Sequence, residues 1–178
     1  RWDVNAYYAA DADAPGKTYS RVGAFLSAVD QFDASFFGVS PREAIMLDPQ
    51  QRLLLEVMWE TLENAAIPAT ALPSNTGVFV GISISDYLQH LLQQGPEAID
   101  AYLDVGTAFS TASGRLAYWL GLHGPCISVD TACSSSLTTI HLACRSLQRG
   151  DCEAALVGGV SLTLTPAYTI NFAKARML

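Results

Sequence analysis

The sequence is poor in charge, and in positive charge above all. Only 15% of its 178 residues are charged, and 10 Lys and Arg face 17 Asp and Glu, which gives a formal net charge of −7. Nucleic-acid binding requires clustered basic side chains that neutralise phosphates. The shortage of Lys and Arg therefore excludes nucleic acid as an expected partner.

Histidine and cysteine are also scarce. The three histidines and the four cysteines (Cys126, Cys133, Cys144 and Cys152) show no C-x-x-C pair and no Cys/His spacing typical of zinc, so no metal is predicted. Three of the four cysteines fall on strand or helix positions that we expect to be buried. This placement favours reduced thiols over disulfides.

Signals for export or membrane insertion are missing as well. The first residues are not a basic segment followed by an apolar one, so no signal peptide is predicted. Residues 154–173 carry no charge, but Gly158, Gly159 and Pro166 argue against a membrane span. We expect a cytoplasmic protein that neither crosses nor binds a membrane.

Hydrophobic patterning predicts one α/β domain. Half of the residues are hydrophobic, and a chain of this length buries roughly 70% of its unfolded surface. In chain order we predict a loop-rich region at 1–35, a helix at 48–66, a strand at 76–82, two short helical patches within 83–107, a helix at 108–120, a strand at 126–129, a helix at 134–149 and a strand at 153–164. Alternating strands and helices indicate a layered α/β fold.

Two of the predicted helices have distinct patterns. The helix at 48–66 starts with Asp48 as its cap and Pro49 in its first turn. We expect its apolar stripe to pack in the core; its members are Leu54, Val57, Met58, Leu62 and Ala65. The helix at 134–149 is small or apolar nearly all round and has no charge before Arg145, which predicts a helix inside the protein.

Cys133 lies where the strand at 126–129 turns into the helix at 134–149, which Gly150 ends. A cysteine in the first turn of a helix faces N–H groups without intrahelical partners, and the helix dipole favours its thiolate. The same N–H groups can stabilise an oxyanion if the sulfur attacks a carbonyl. Two interpretations stay open: a nucleophile for acyl chemistry, or a small buried packing residue.

The segment DTACSSSL at 130–137 resembles the nucleophile motif of β-ketoacyl synthases, in the form typical of modular type I polyketide synthases. Further blocks agree with that family in order and spacing: FDASFFGVSPREA at 32–44, DPQQRLLLE at 48–56, TGVFVG at 76–81, GRLAY at 114–118 and GGV at 158–160. The resemblance runs over the whole of residues 1–178. It implies a partial ketosynthase domain, the N-terminal half, which lacks its first strand and its second half.

The resemblance implies a thiolase-like αβαβα sandwich and a C–C bond-forming acyltransferase. Cys133 would take an acyl chain from phosphopantetheine, and a malonyl-type unit on an acyl carrier protein would decarboxylate and attack it. Ala132 and Ser134 would shape the acyl pocket and Phe109 would lie near it, although core packing is the stronger expectation for Phe109. Asp130 and Thr131 would hold the turn.

The same resemblance implies partners and missing parts. The expected partners are the acyl carrier protein, flanking polyketide synthase domains and a second copy in a homodimer, and the domain itself would bind no cofactor. The family's two histidines and lysine lie in later motifs, so this half should acylate slowly at most and should not condense. We also expect it to expose large apolar surfaces, and to be poorly soluble or dimeric alone.

The three histidines here do not fit those motifs. His141 lies eight residues beyond Cys133, which is about 12 Å along a helix, and it is predicted to be a core or structural residue. His90 and His123 are predicted to lie in loops or turns. Because no histidine is placed to activate the sulfur, a cysteine hydrolase is disfavoured.

Other readings share part of this pattern. A stand-alone fatty-acid condensing enzyme or a thiolase would have the same fold and cysteine, but the block at 48–56 and the three serines after Cys133 favour the polyketide type. A non-catalytic half-domain that contributes only dimer surface is the remaining alternative.

Overall fold

The computed structural model describes all 178 residues. The chain divides into two compact units, one formed by Val29–Leu162 and the other by Arg1–Ala28 together with Thr163–Leu178. All three strands and Cys133 belong to the larger unit. None of the helices combines the length and the apolar character required to cross a membrane.

A parallel sheet of three strands forms the centre of the larger unit. The strands are β1 (Thr76–Gly81), β2 (Cys126–Val129) and β3 (Ala154–Gly159). Their order is β2-β1-β3, so β1 is paired on both sides and is completely buried. The predicted strands are therefore confirmed, with one correction: β3 ends at Gly159 instead of continuing to residue 164, because its partner β1 ends at the paired Gly81.

The two units together contain eight α-helices. They are α1 (Val4–Tyr7), α2 (Pro41–Met46), α3 (Pro49–Asn64), α4 (Asp86–Leu92), α5 (Leu103–Thr107), α6 (Phe109–Leu120), α7 (Ser135–Arg149) and α8 (Ala167–Lys174). The helices predicted at 48–66, 108–120 and 134–149 and the two short patches within 83–107 are confirmed. The expected cap of α3 is also confirmed, since the Asp48 side chain accepts a hydrogen bond from the Gln50 N–H.

Side chains that alternate along β1 contact different helices. Val78 and Val80 belong to the hydrophobic core that includes Leu54 of α3 and Leu116 of α6. A Cβ on Gly81, in the other set of positions, would meet the backbone of α7 instead. Since successive strand residues point to opposite faces, the sheet has α3 and α6 on one face and α7 on the other.

The apolar stripe predicted for α3 is only partly correct. Leu54 and Leu62 are buried, but Val57 is 54% exposed. Polar residues fill the first turn instead, where Gln50, Gln51 and Arg52 are buried. Ala65 is exposed just past the end of the helix.

The prediction that the helix after Cys133 is buried is wrong for most of α7. Only Ser135, Thr139 and Ala143 are buried, whereas Leu137 is 71% and Ile140 is 48% exposed. The buried residues are small and spaced by four, so α7 meets the sheet along one narrow stripe. The outward stripe is apolar and uncovered, which confirms that the chain exposes large apolar side chains.

The smaller unit consists mainly of loops, as predicted for the start of the chain. Beyond α1 and α8, Tyr8 and Thr18 form one parallel β-bridge. The Arg1 guanidinium donates hydrogen bonds to the carbonyl oxygens of Leu26 and Thr163, at 2.9 and 2.8 Å. These contacts link the N-terminal segment to the segment before α8.

Candidate active site

Cys133 lies in a sharp turn between β2 and α7, which we call the elbow (residues 130–135). After Val129 the chain makes a single 3₁₀ turn, Ala132–Ser134, and only then begins the α-helix. Cys133 is thus one step earlier than predicted, in the 3₁₀ turn and not in the first turn of α7. Its side chain is exposed, so the alternative of a buried packing residue is wrong.

The backbone of the elbow is strained at Ala132. Its φ angle is +54°, in the left-handed region that L-residues avoid at a cost of about 1–2 kcal/mol. This conformation reverses the chain direction between the strand and the helix. It presents Cys133 to solvent at the edge of the sheet where parallel strands end.

Side-chain hydrogen bonds hold this conformation. Asp130 Oδ1 accepts from the Ala132 N–H at 2.9 Å. The Ser135 hydroxyl accepts from the Thr131 N–H at 2.9 Å and donates to the Ala132 carbonyl at 2.7 Å. The Thr131 hydroxyl lies 2.9 Å from the Ser134 hydroxyl. Asp130 and Thr131 therefore act as expected, as residues that hold the turn.

Two glycines let the start of α7 lie directly on the sheet. A Cβ added to Gly81 would lie 2.8 Å from the Ser135 carbonyl carbon, and one added to Gly159 would lie 2.7 Å from the Ser136 Cβ. Both distances are too short for any side chain. The adjacent Gly158 and Gly159 predict a break in the register of β3, and this prediction is wrong: β3 pairs with β1 continuously through Gly159, which permits the close approach of α7.

The candidate pocket residues are only partly brought together. Ala132 and Ser134 flank Cys133, and the Ser134 hydroxyl already donates to the Thr131 carbonyl at 2.7 Å. Phe109, the first residue of α6, packs against the hydrophobic core, and no hydrogen bond or ring contact joins it to the elbow. Core packing was the stronger expectation for Phe109, and this contact agrees with it.

The prediction that most of the cysteines are buried is wrong. All four cysteines are free, but Cys126 and Cys144 are exposed on β2 and α7, and only Cys152 is buried. Cys126 is exposed because β2 is an edge strand, and Cys144 because it lies on the uncovered side of α7. Accessibility alone therefore does not single out Cys133.

The histidines also differ from expectation. His141 is exposed on α7, so it is not a core residue. His90 lies in α4 and not in a loop, where its ring stacks on Tyr87 at a centroid distance of 6.1 Å. His123 is exposed in a loop, as predicted. No histidine forms a hydrogen bond with Cys133, and no group of three metal-ligating side chains is present.

A buried polar cluster, which the sequence patterns did not predict, ties together the loops at the same edge of the sheet. Gln50 donates to the Ile84 carbonyl, in the loop after β1, at 2.5 Å. It accepts from the Leu162 N–H, after β3, at 3.1 Å. Burial raises the pKa of Asp48, while its hydrogen bonds from Gln50 and Ser85 act in the opposite direction. Two glutamines in a row after Asp-Pro were the only signal for this cluster.

A second group that was not predicted fixes the segment before Phe109. Gln51 donates to the carbonyl oxygens of Gly106 and Ala108, at 3.1 and 3.2 Å. Arg115 donates to Gln51 Oε1 at 3.3 Å and pairs with Glu43 at 2.5 Å. The start of α6 is thereby tied to α2 and α3.

The fold and the elbow define a class: an α/β protein that presents a cysteine at a strand-to-helix turn, at the carboxyl edge of a parallel sheet. The complete chain, residues 1–178, matches the family model described as Beta-ketoacyl synthase, N-terminal domain. The chain belongs to the β-ketoacyl synthase family, and the predicted resemblance is confirmed.

Its relatives include modular polyketide synthases. The spectinabilin polyketide synthase system protein NorC of Streptomyces orinoci is 52% identical over 178 residues, which are 99% of this chain and 8% of that protein. The pikromycin polyketide synthase component PikAII of Streptomyces venezuelae is 50% identical over 178 residues, 99% of this chain and 5% of that protein. This chain thus spans only a small part of these relatives.

Solved ketosynthase structures share the fold. The oxazolomycin ketosynthase domain OzmH KS7 of Streptomyces albus matches with a TM-score of 0.90 and 39% identity, covering 98% of this chain and 30% of that one. The module 6 ketosynthase of the bacillaene synthase of Bacillus subtilis 168 matches with a TM-score of 0.84 and 36% identity, covering 100% and 28%. The predicted thiolase-like α/β fold is confirmed.

Proposed function

We propose that residues 1–178 are the nucleophile-bearing, N-terminal part of a ketosynthase domain that extends acyl chains in polyketide biosynthesis. The exposed thiol of Cys133, held in a strained elbow at the start of α7, is the observation that carries this proposal. Membership of the β-ketoacyl synthase family and 50–52% identity to polyketide synthases support the same assignment.

In the first step Cys133 exchanges thioesters. Its thiolate adds to the thioester carbonyl of an acyl chain carried on the phosphopantetheine of an acyl carrier protein. The tetrahedral intermediate then expels the carrier thiol, which takes up the proton that Cys133 released. A thiolate suits this step because it is both a good nucleophile and a good leaving group.

The start of α7 is suited to the charge that develops. Its cap residue, Ser134, makes no side-chain hydrogen bond to the helix N–H groups. These groups and the helix dipole favour negative charge beside Cys133, both on the sulfur and on the thioester oxygen. Ala132 and Ser134 then border the acyl group, and Phe109 packs against the hydrophobic core.

The second step joins two carbon units. A malonyl-type unit on a carrier protein loses CO₂, and its carbanion attacks the Cys133 thioester to form the new C–C bond and release the thiolate. None of the three histidines is bonded to Cys133, so we expect the groups that assist decarboxylation to come from other parts of the full-length protein. The expected partners are the acyl carrier protein and the flanking synthase domains, and a homodimer is expected from the family resemblance alone.

Acylation of the full-length protein by a thioester of a pantetheine-like thiol tests this function. Peptide mapping by mass spectrometry should find the acyl group on Cys133, at a rate at least about tenfold above that of Cys144. Cys144 is the matched control, because it is an exposed cysteine on the same helix.

Two variants complete the test. Cys133→Ala should abolish acylation and chain extension, whereas Cys144→Ala should leave both unchanged. Equal acylation of Cys133 and Cys144 would contradict the assignment of the nucleophile and would favour the non-catalytic alternative.

A further inference from the structure

We propose that Ser135 is a positioning residue that holds Cys133 in its reactive orientation. This inference rests on the proposed function, because it assumes that Cys133 is the nucleophile. Ser135 acts through the backbone of the elbow and not by contact with the substrate.

The Ser135 side chain bridges the strained residue. Its hydroxyl accepts a hydrogen bond from the Thr131 N–H, before Ala132, and donates one to the Ala132 carbonyl, after the strained φ angle. The Ser135 backbone N–H also donates to the Ala132 carbonyl. Three hydrogen bonds of one residue therefore hold the Asp130–Thr131 peptide group, which precedes the left-handed residue, and the Ala132–Cys133 peptide group, which follows it.

These bonds determine the orientation of the Cys133 N–H. The peptide group between Ala132 and Cys133 is trans and planar, so its carbonyl and its N–H point in opposite directions. Ser135 draws the carbonyl towards the helix, and the N–H of Cys133 must then point away from it. Ser135 thereby sets the direction of the N–H that lies beside the Cys133 thiol.

Ser135 is itself fixed by its surroundings. It is only 6% exposed, and its backbone lies so close to Gly81 that a Cβ there would be 2.8 Å from its carbonyl carbon. The hydroxyl does not cap the helix: it points back to the elbow. Ser136, the next residue, is exposed and has no side-chain hydrogen bond to the elbow.

The test compares Ser135→Ala with Ser136→Ala in the full-length protein. Without the hydroxyl, Ala132 can relax and Cys133 loses its orientation. We expect Ser135→Ala to slow thioester acylation of Cys133 by about tenfold, the size expected for two lost hydrogen bonds. Ser136→Ala should acylate at the parent rate, and Ser135→Thr, which keeps the hydroxyl, should restore most of the rate.

A second reagent separates positioning from a general loss of structure. Iodoacetamide alkylates a thiolate without forming an oxyanion, so Ser135→Ala should slow alkylation of Cys133 less than acylation. Alkylation of Cys144, measured in the same sample, should not change. Equal slowing with both reagents, or no slowing with either, would overturn the role of Ser135.

A double variant keeps the inference testable if Ser135→Ala folds poorly. Glycine adopts the left-handed conformation freely, so Ala132→Gly should reduce the need for Ser135. In the Ala132→Gly background, Ser135→Ala should therefore slow acylation by much less than tenfold, and purely additive effects would contradict the inference. If the parent protein does not acylate at Cys133, the proposed function fails; if the parent acylates and Ser135→Ala does so equally well, only the positioning role fails.

Discussion

The starts of α3 and α7 differ in whether a side chain caps the first N–H groups of the helix. At α3 the Asp48 carboxylate caps the helix, accepting from the Gln50 N–H at 2.8 Å and from the Ser85 hydroxyl at 3.0 Å. At α7 the cap residue Ser134 makes no such bond, and its hydroxyl is directed at Thr131 instead. The first start stabilises the fold, while the second leaves helix N–H groups without a side-chain cap beside Cys133.

Support for the two starts also comes from different parts of the molecule. Asp48 is buried among polar side chains that reach the loops after β1 and β3. The elbow is held by hydrogen bonds among its own residues, and it packs on the sheet where Gly81 and Gly159 have no side chain. The start of α3 is therefore stabilised by distant buried partners, and the start of α7 by local hydrogen bonds and by close packing of its backbone on the sheet.

The largest expected loss of stability comes from adding a side chain at Gly81, where α7 packs on the sheet. Gly81→Ala places a methyl group against the Ser135 backbone, which cannot move aside as a flexible side chain would. We expect a loss of about 1–3 kcal/mol in the free energy of unfolding, together with slower acylation of Cys133. Urea unfolding and the acylation rate measure the two effects.

Gly114→Ala is the matched control. A Cβ at Gly114, within α6, would have nothing within 4 Å. This variant should be more stable than the parent by about 0.5–1 kcal/mol, because alanine favours the helix. If both glycine variants changed stability in the same direction, packing under the elbow would not explain the role of Gly81.

Removing the buried cap should have the next largest effect. Asp48→Ala deletes the acceptor for Gln50 and Ser85, and we expect it to lower the free energy of unfolding by about 1–2 kcal/mol. Asp48→Asn keeps a side-chain oxygen for the cap without a buried charge, so it should lose much less. Urea unfolding of both variants at pH 7 measures the difference.

The pH dependence of Asp48→Asn sharpens this result. Because burial raises the pKa of Asp48 above its ordinary value of 3.8, the folded chain binds this proton more tightly than the unfolded one. Its contribution to stability is therefore largest at low pH and falls as pH rises through the folded pKa. The parent should lose stability relative to Asp48→Asn as pH rises from about 4 upwards; a relative gain would contradict the sign of the shift.

The smallest expected effect is at the start of α7. Ser134→Ala removes no cap bond from the helix and only solvent-exposed hydrogen bonds to Thr131, so the free energy of unfolding should change by less than about 0.5 kcal/mol. Ser40→Ala is the comparison: Ser40 caps α2 by accepting from the Glu43 N–H at 3.2 Å, and its loss should cost about 1 kcal/mol. Thermal unfolding of the two variants checks the order, and an equal loss would contradict the expected difference between a capped and an uncapped helix start.

Local signals explain what could be predicted. The order of strands and helices, the cap at Asp48, the end of α7 at Gly150 and the turn at Cys133 follow from residues close together in sequence. Family motifs then identified the fold. The elbow was predicted as a site, although its 3₁₀ turn and its left-handed Ala132 were not.

What could not be predicted depends on distant partners. Gln50 and Gln51 are buried because carbonyl and N–H groups from residues 84, 106, 108 and 162 satisfy them, and no local pattern indicates those partners. The exposure of α7 also depends on neighbours, since an all-apolar pattern does not tell which side another element covers. For the same reason Cys144 was expected to be buried.

The strand order has a consequence for how the chain folds during synthesis. β1 pairs only with β2 and β3, and the end of β3 follows the end of β1 by about 80 residues, or about 4–16 s at the usual ~5–20 residues per second. During that interval its apolar Val78, Phe79 and Val80 have no sheet partner on the β3 side. The elbow, which rests on Gly81 and Gly159, can therefore take its final position only after β3 has been synthesised.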